Sequence, residues 1–299
     1  MHAPLADLLR LLRLERLELD LFRGQSRDIG REQVFGGQVL GQALSAAYAT
    51  TEGRLVHSLH AYFLRRGDHT APILYEVDRS RDGHSFSSRR VIAIQHGQQI
   101  FHLSASFQVP EPGMEHQDPM PADLPGPEGL PDLFDVPAAV RARLPAAALR
   151  FIDQPLPFEF RMVQPIDPLR PRCEPPRQEV WFRAPDRLPD DPLLHHVLLA
   201  YASDFSLIGT AMRPHGVTML TPGMVVASID HAMWFHRPVR VDDWLLYSMD
   251  SPSASGGRGL ARARIFTRDG VLVASTAQEG LMRAAPSRGS AGPSDPAPA

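Results

Sequence analysis

The chain has 299 residues, 43% hydrophobic and 22% charged, with a net charge of −3 and a pI near 6.5. Such a composition suits one large or two ordinary globular domains and excludes a broad polyanion-binding surface, so no nucleic acid partner is expected. The single Cys173 rules out an intrachain disulfide or a cysteine-based zinc site and fits a reducing cytoplasm, while no run nears the ~18 uninterrupted apolar residues of a membrane span.

Leu5, Leu8, Leu9 and Leu12 recur at helical spacing and predict a short amphipathic helix; Asp7, Arg10 and Arg13 interrupt its apolar character, so no signal peptide is expected. Leu17, Leu19 and Leu21 alternate with Glu18 and Asp20, the pattern of a half-buried strand. Residues 35–47 are helical in period but full of Gly and Ala. Gly inside a helix costs roughly 0.5–1 kcal/mol relative to Ala, so these glycines imply that another backbone comes close. Four strand-like runs follow, at 55–65, 71–79, 85–96 and 99–108. Residues 110–137 then hold eight of the 29 prolines and no periodicity. A short helix at 136–151 and a strand at 157–163 are the regular pieces expected before Gln178. A second series begins with a strand at Glu179–Arg183 and a helix at 192–212. Strands at 223–236, 243–251, 257–267 and 271–282 complete it, and the Ser-, Gly- and Pro-rich end reads as a disordered tail.

The two series are copies. His60-Ala61-Tyr62-Phe63-Leu64-Arg65-Arg66 returns in degraded form as His231-Ala232-Met233-Trp234-Phe235-His236-Arg237, and Tyr75 returns as Tyr247. A period this long is no solenoid. It predicts two similar units, 1–109 and 179–283, joined by a linker over 110–178 and followed by the tail at 284–299. One helix on a long antiparallel sheet would leave that sheet partly bare, so the units are expected to pair edge to edge or face to face.

Asp204 is the residue that most asks for an explanation. Its neighbours three and four positions away are Ala200, Tyr201, Leu207 and Ile208, which puts it on an apolar stripe. A carboxylate there must find donors, and spacing alone leaves open a purely structural tie to the sheet backbone.

Phe22-Arg23-Gly24-Gln25-Ser26, Val34-Phe35-Gly36-Gly37-Gln38-Val39, Ile229–Pro238 and Ala277-Gln278-Glu279-Gly280 resemble the acyl-CoA thioesterase II family, and the resemblance runs from about Leu8 to Arg283. It implies an α+β double hotdog, two tandem units that each wrap a long central helix in antiparallel sheet. It further implies an acyl-CoA substrate, hydrolysed to free fatty acid and CoA without metal or cofactor, by a chain that forms a homo-oligomer. In that family an Asp, a Thr and a Gln hold the attacking water, and the matching positions here are Asp204, Ser228 and Gln278. Ser228 departs from the pattern: the hydroxyl is kept, but the methyl that restrains χ1 is lost.

If both copies fold alike, residues present in only one are candidates for the chemistry. Gln42 is expected roughly where Asp204 stands in the second copy, His57 or Ser58 opposite Ser228, and Ser106 or a neighbour opposite Gln278. The first copy then lacks a base, and one working site per chain is expected. Gly36 and Gly37 at a helix start are suited to offer backbone N–H groups to a carbonyl oxygen. Arg65, Arg66, Arg89, Arg90, Arg237 and Arg258 are candidates for the CoA phosphates. No Gly-x-Ser-x-Gly elbow supports a serine hydrolase. An enoyl-CoA hydratase would need an acid/base pair, and the adjacent Asp230 and His231 point to opposite faces of a strand. A non-catalytic acyl-CoA-binding protein is the remaining rival.

Overall fold

The computed structural model of the protein describes residues 1–284, so the expected tail lies outside the described residues. The first unit comprises α1 (Ala3–Leu11), β1 (Glu15–Glu18), β2 (Leu21–Gly24), α2 (Gly36–Tyr48), β3 (Leu55–Phe63), β4 (Ile73–Asp82), β5 (Phe86–Gln95) and β6 (Gln98–Gln108). The connection carries α3 (Ala138–Arg141), α4 (Ala146–Ile152) and β7 (Glu159–Met162). The second unit comprises β8 (Arg177–Arg183), α5 (Pro192–Ser203), α6 (Leu207–Met212), β9 (Met224–Ser228), β10 (Asp230–Phe235), β11 (Leu245–Ser255), β12 (Arg258–Thr267) and β13 (Leu272–Ala284).

All the strands join one antiparallel sheet, in the order β1-β2-β4-β5-β6-β3-β10-β13-β12-β11-β8-β7, with β9 also on β13. The run β2-β4-β5-β6-β3 is mirrored by β8-β11-β12-β13-β10, and the halves meet edge to edge at β3 and β10. There Ala61 pairs with His231 and His60 with Ala232. Shifting Ala61 and His60 by 171 positions gives Ala232 and His231, so each pair becomes the other. The repeat read from the sequence is thus a pseudo-twofold axis through the middle of the sheet, and the pairing removes an exposed edge from each unit.

Helices α2 and α5 pack against each other on one face of the sheet. They run antiparallel: Gly37 lies beside Tyr201 and Gly41 beside Val197. A Cβ on Gly37 would stand 2.3 Å from the carbonyl oxygen of Tyr201, which is the close approach the glycines called for. Both helices are buried nearly all round, with Leu40, Ala43, Leu44, Leu198, Leu199 and Ala200 inaccessible to solvent. Beneath them the paired tyrosines reach up alike. Tyr75 donates its hydroxyl to Gln42 Oε1 at 2.7 Å, and Tyr247 donates to the Ser203 carbonyl at 2.7 Å.

Three expectations are corrected. The helix predicted over 192–212 is two helices: Ser206 adopts a left-handed φ of 68° and breaks it directly after Asp204. The strand at 223–236 is interrupted at Ile229, leaving β9 and β10 end to end along β13. The strand through Leu17–Leu21 turns at Leu19 and Asp20, so β1 is exposed on both faces rather than half-buried. In the connection, Pro145 opens α4 and separates it from α3. The segment before α3 is not loose: Trp181 donates to the Pro125 carbonyl at 2.9 Å, and Met120, Leu124 and Leu130 cover Trp181, Leu246 and Phe266.

Candidate active site

The antiparallel pairing of α2 and α5 brings the start of one helix to the end of the other, and Asp204 stands at that junction as the residue closing α5. A Cβ on Gly36 would lie 2.6 Å from Asp204 Oδ2, so the missing side chain leaves that oxygen uncovered. Gln278, buried in β13, donates its amide to Asp204 Oδ1 at 2.8 Å. The Gly37 backbone N–H and the Ser228 hydroxyl are close enough to the same carboxylate to favour its charged form. Asp204, Ser228 and Gln278, which lie far apart in the sequence, are therefore together. Gly36 and Gly37 are there too, but the Gly37 N–H is turned to the carboxylate, as the positive end of a helix favours.

Burial raises the Asp204 pKa to about 6; the Gln278 bond, the Arg31 charge, Gly37 and Ser228 each pull it back down. The carboxylate is set deep among protein atoms yet keeps a little solvent contact. That combination suits a general base: ionised at neutral pH, but far more basic than an exposed Asp.

Arg31 is a member of this site that sequence reasoning missed. It sits in the loop between β2 and α2, where Asp28 Oδ1 accepts from the N–H groups of Gly30, Arg31 and Glu32 at 2.8, 2.8 and 3.0 Å. Its guanidinium carbon lies 4.2 Å from the centre of the Phe151 ring in α4. The Asp-x-Gly turn was legible in the sequence, but not that it would aim a cation at Asp204.

A cavity of about 1320 Å³ opens beside the site. Arg31, Phe205, Ser206 and Val226 line it, so it reaches the residues next to Asp204 and Ser228 without including the three side chains themselves. Its opposite wall is the connection, from Pro131 to Gln178.

The arginines divide. Arg66 lines the cavity. Arg89, expected at the CoA phosphates, is instead buried at 2% exposure, donating to Thr50 Oγ1 and the Thr50 carbonyl at 2.9 Å each and pairing with Asp82 at 2.8 Å. Its task is to close the end of α2, where orphan carbonyls need donors. Arg65 is exposed and holds the Gln99 carbonyl at 2.7 Å, and Arg258 pairs with Glu279 at 2.9 Å; neither lines this cavity. Arg237 holds the Leu272 carbonyl at 3.0 Å and lines a separate cavity at the other end of the paired helices. Asp230 accepts from the Glu279 N–H, whereas His231 is fully buried with Nε2 at Ser203 Oγ, so the two do point apart.

Registers also locate the counterpart of the site in the first unit. Tyr75 pairs with Ala93 as Tyr247 pairs with Ile265, and on the same strands Arg89 and Ala105 pair as Ala261 and Gln278 do. Ala105, the neighbour of Ser106, therefore stands where Gln278 does. Gln42, expected roughly in the place of Asp204, meets Tyr75 as Ser203, the residue before Asp204, meets Tyr247. Gln42 is spent on Tyr75 and on the carbonyls of Leu11 and Gln25. The end of α2 is capped by the Arg89 guanidinium, which is itself paired with the Asp82 carboxylate.

Comparison with known proteins places the chain in a family. The profile of the acyl-CoA thioesterase family matches residues 170–281, and that of the acyl-CoA thioesterase N-terminal domain matches residues 23–108. The chain is 46% identical to acyl-CoA thioesterase 2 of Haemophilus influenzae, over 93% of its own length and 98% of that protein. It belongs to the acyl-CoA thioesterase family. Human acyl-coenzyme A thioesterase 8 is 43% identical, with 92% of this chain and 88% of the human protein covered. The crystal structure of an acyl-CoA thioesterase II from Mycobacterium marinum superposes with a TM-score of 0.75 at 45% identity, covering 94% of this chain and 99% of that one. The thioesterase fold, two helix-on-sheet units in tandem, is the double hotdog expected.

Proposed function

We propose that this acyl-CoA thioesterase hydrolyses fatty acyl-CoA with a water molecule activated by Asp204 and oriented by Ser228 and Gln278. The reading rests on one observation: the buried Gln278 amide donates to Asp204, a carboxylate that burial makes more basic while Ser228 and the start of α2 stand close enough to favour its charged form. Asp204 takes a proton from water at Oδ2, the oxygen left uncovered by Gly36. The oxygen of that water attacks the thioester carbonyl carbon, and the tetrahedral intermediate collapses by breaking the C–S bond. The CoA thiolate recovers the proton from Asp204, leaving free acid and CoA. A positioned base of this kind contributes about 10²–10⁴-fold. Arg31, held over Phe151 at the cavity wall, offsets the negative charge that builds up. The first unit, with Ala105 where the second has Gln278, contributes scaffold and no second site.

The exposed Tyr62 and Trp234, on the β3–β10 face away from α2 and α5, support self-association across that face. Gel filtration of the wild type against a Tyr62→Asp, Trp234→Asp double variant tests it, and an unchanged elution volume refutes it. The exposed free Cys173 is compatible with a cytoplasmic setting. For the catalytic reading the test is thiol release from palmitoyl- and hexanoyl-CoA. It must vanish in Asp204→Asn; persistence would mean another base, and binding without release in the wild type would mean a non-catalytic acyl-CoA-binding protein.

A further inference from the structure

A buried histidine beside Asp204 has no part in the chemistry described so far. The inward face of β10 is His231, Met233 and Phe235, all buried, and His231 alone of the three is polar. Its side chain is wholly enclosed, and its Nδ1 has no hydrogen-bond partner among the described residues. An apolar side chain of similar size would fill that space without stranding a polar atom. Packing therefore does not account for the histidine, and the bond it makes must.

That bond goes to Ser203, the last residue of α5 and the one before Asp204: His231 Nε2 lies 3.0 Å from Ser203 Oγ. The Ser203 hydroxyl has one proton and gives it to the Ala200 carbonyl at 2.9 Å, so His231 donates from Nε2. The atom left bare is then a lone pair at Nδ1 rather than a buried N–H, the more tolerable of the two. Burial lowers the His231 pKa to about 4, so the ring is neutral wherever Asp204 is ionised.

Helix ends fray because their last carbonyls lack partners within the helix. Ser203 is held there twice. Tyr247 on β11 donates to its carbonyl at 2.7 Å, and the Tyr247 oxygen in turn accepts from Thr276 Oγ1 at 3.1 Å. Thr276 precedes Gln278 by two residues on the same buried face of β13, and His231 follows Ser228 by three. The segments that carry Ser228 and Gln278 thus also carry the groups that clamp the residue before Asp204.

We infer that His231 is a positioning residue for hydrolysis: its grip on Ser203 fixes the end of α5, and with it the geometry in which Asp204 meets Gln278, Ser228 and the water. The inference rests on Asp204 being the base. The other charged and titratable groups facing Asp204 are Arg31 from the β2–α2 loop, Tyr201 of α5 and Tyr247 of β11. Burial raises the pKa of both tyrosines, so neither ionises where Asp204 does. A shifted rate profile in a His231 variant therefore reports on Asp204.

The test is thiol release from palmitoyl-CoA as a function of pH, in the wild type, His231→Leu, His231→Gln and Ser203→Ala, with thermal unfolding of each. In His231→Leu, kcat should fall about tenfold to a hundredfold, the scale of a small misplacement at a reacting centre, with KM unchanged. Its acid limb should move to higher pH, because a displaced Asp204 loses part of the Gln278 bond that favours its charged form. Glutamine can offer an amide N–H where Nε2–H stands, so His231→Gln should recover most of kcat and return the limb. Ser203→Ala should reproduce the His231→Leu defect, and combining the two should add nothing further. A lowered Tm with kcat and the limb in place would make His231 a core residue only and overturn the inference, as would additive effects of the two changes. If His231→Leu does not fold, Ser203→Ala decides, and wild-type kcat and limb there overturn it. Full thiol release by Asp204→Asn would instead refute the base itself, whatever the His231 variants do.

Discussion

The raised pKa of Asp204 makes a claim about stability as well as rate. Its folded-state value is about 6 against an ordinary 3.8, so the folded chain holds the proton more tightly than the unfolded chain does. The stability this contributes is therefore complete below pH 3.8 and is lost as pH rises through 6. A shift of one unit corresponds to 1.36 kcal/mol. Over its whole span the loss is about 3 kcal/mol, and between pH 4.5 and pH 8 it is about 2 kcal/mol. Asp204→Asn keeps the size of the side chain and removes the ionisation. Denaturant unfolding of both proteins at several pH values should show the variant gaining about 2 kcal/mol on the wild type from pH 4.5 to pH 8. Wild-type kcat/KM should climb over the same interval with an apparent pKa near 6. A stability difference that does not change with pH would mean that the carboxylate is well solvated. The argument that burial makes it a usable base would then be wrong.

Gln278→Leu removes the shortest hydrogen bond to the charged form of Asp204. The acid limb of the rate profile should move to higher pH, with activity at pH 7 falling roughly tenfold to a hundredfold; a limb that stays in place counts against the assignment. Gly36→Ala puts a methyl 2.6 Å from Asp204 Oδ2, so kcat should drop about 10²-fold while the fold is retained. Gly37→Ala instead strikes the Tyr201 carbonyl at 2.3 Å and should cost about 1–3 kcal/mol in denaturant unfolding. Arg89→Met should lower stability by about 1–3 kcal/mol through the unmet Thr50 groups and leave KM for acyl-CoA unchanged. A raised KM would restore Arg89 as a CoA ligand.

Local pattern was enough for much of this protein. Period-2 runs marked most strands, the glycines of 35–47 announced a helix pressed on another backbone, and the recurrence of His60–Arg66 at His231–Arg237 specified two like units. Asp204 stood out because an acid among Ala200, Tyr201, Leu207 and Ile208 contradicts its surroundings. What the sequence by itself determined was thus whatever depends on neighbours within a turn of helix or a few strand residues. Only the tertiary structure decided that the antiparallel α2–α5 pairing would set Gly36 against Asp204, and that a left-handed Ser206 would end the helix there. It also decided that Ala105, the neighbour of Ser106, holds the place of Gln278 in the first unit. The fates of Arg31 and Arg89 belong to the same class. An arginine reads alike in any surface loop, and whether it caps a helix or stacks on Phe151 depends on chain that returns to it from tens of residues away.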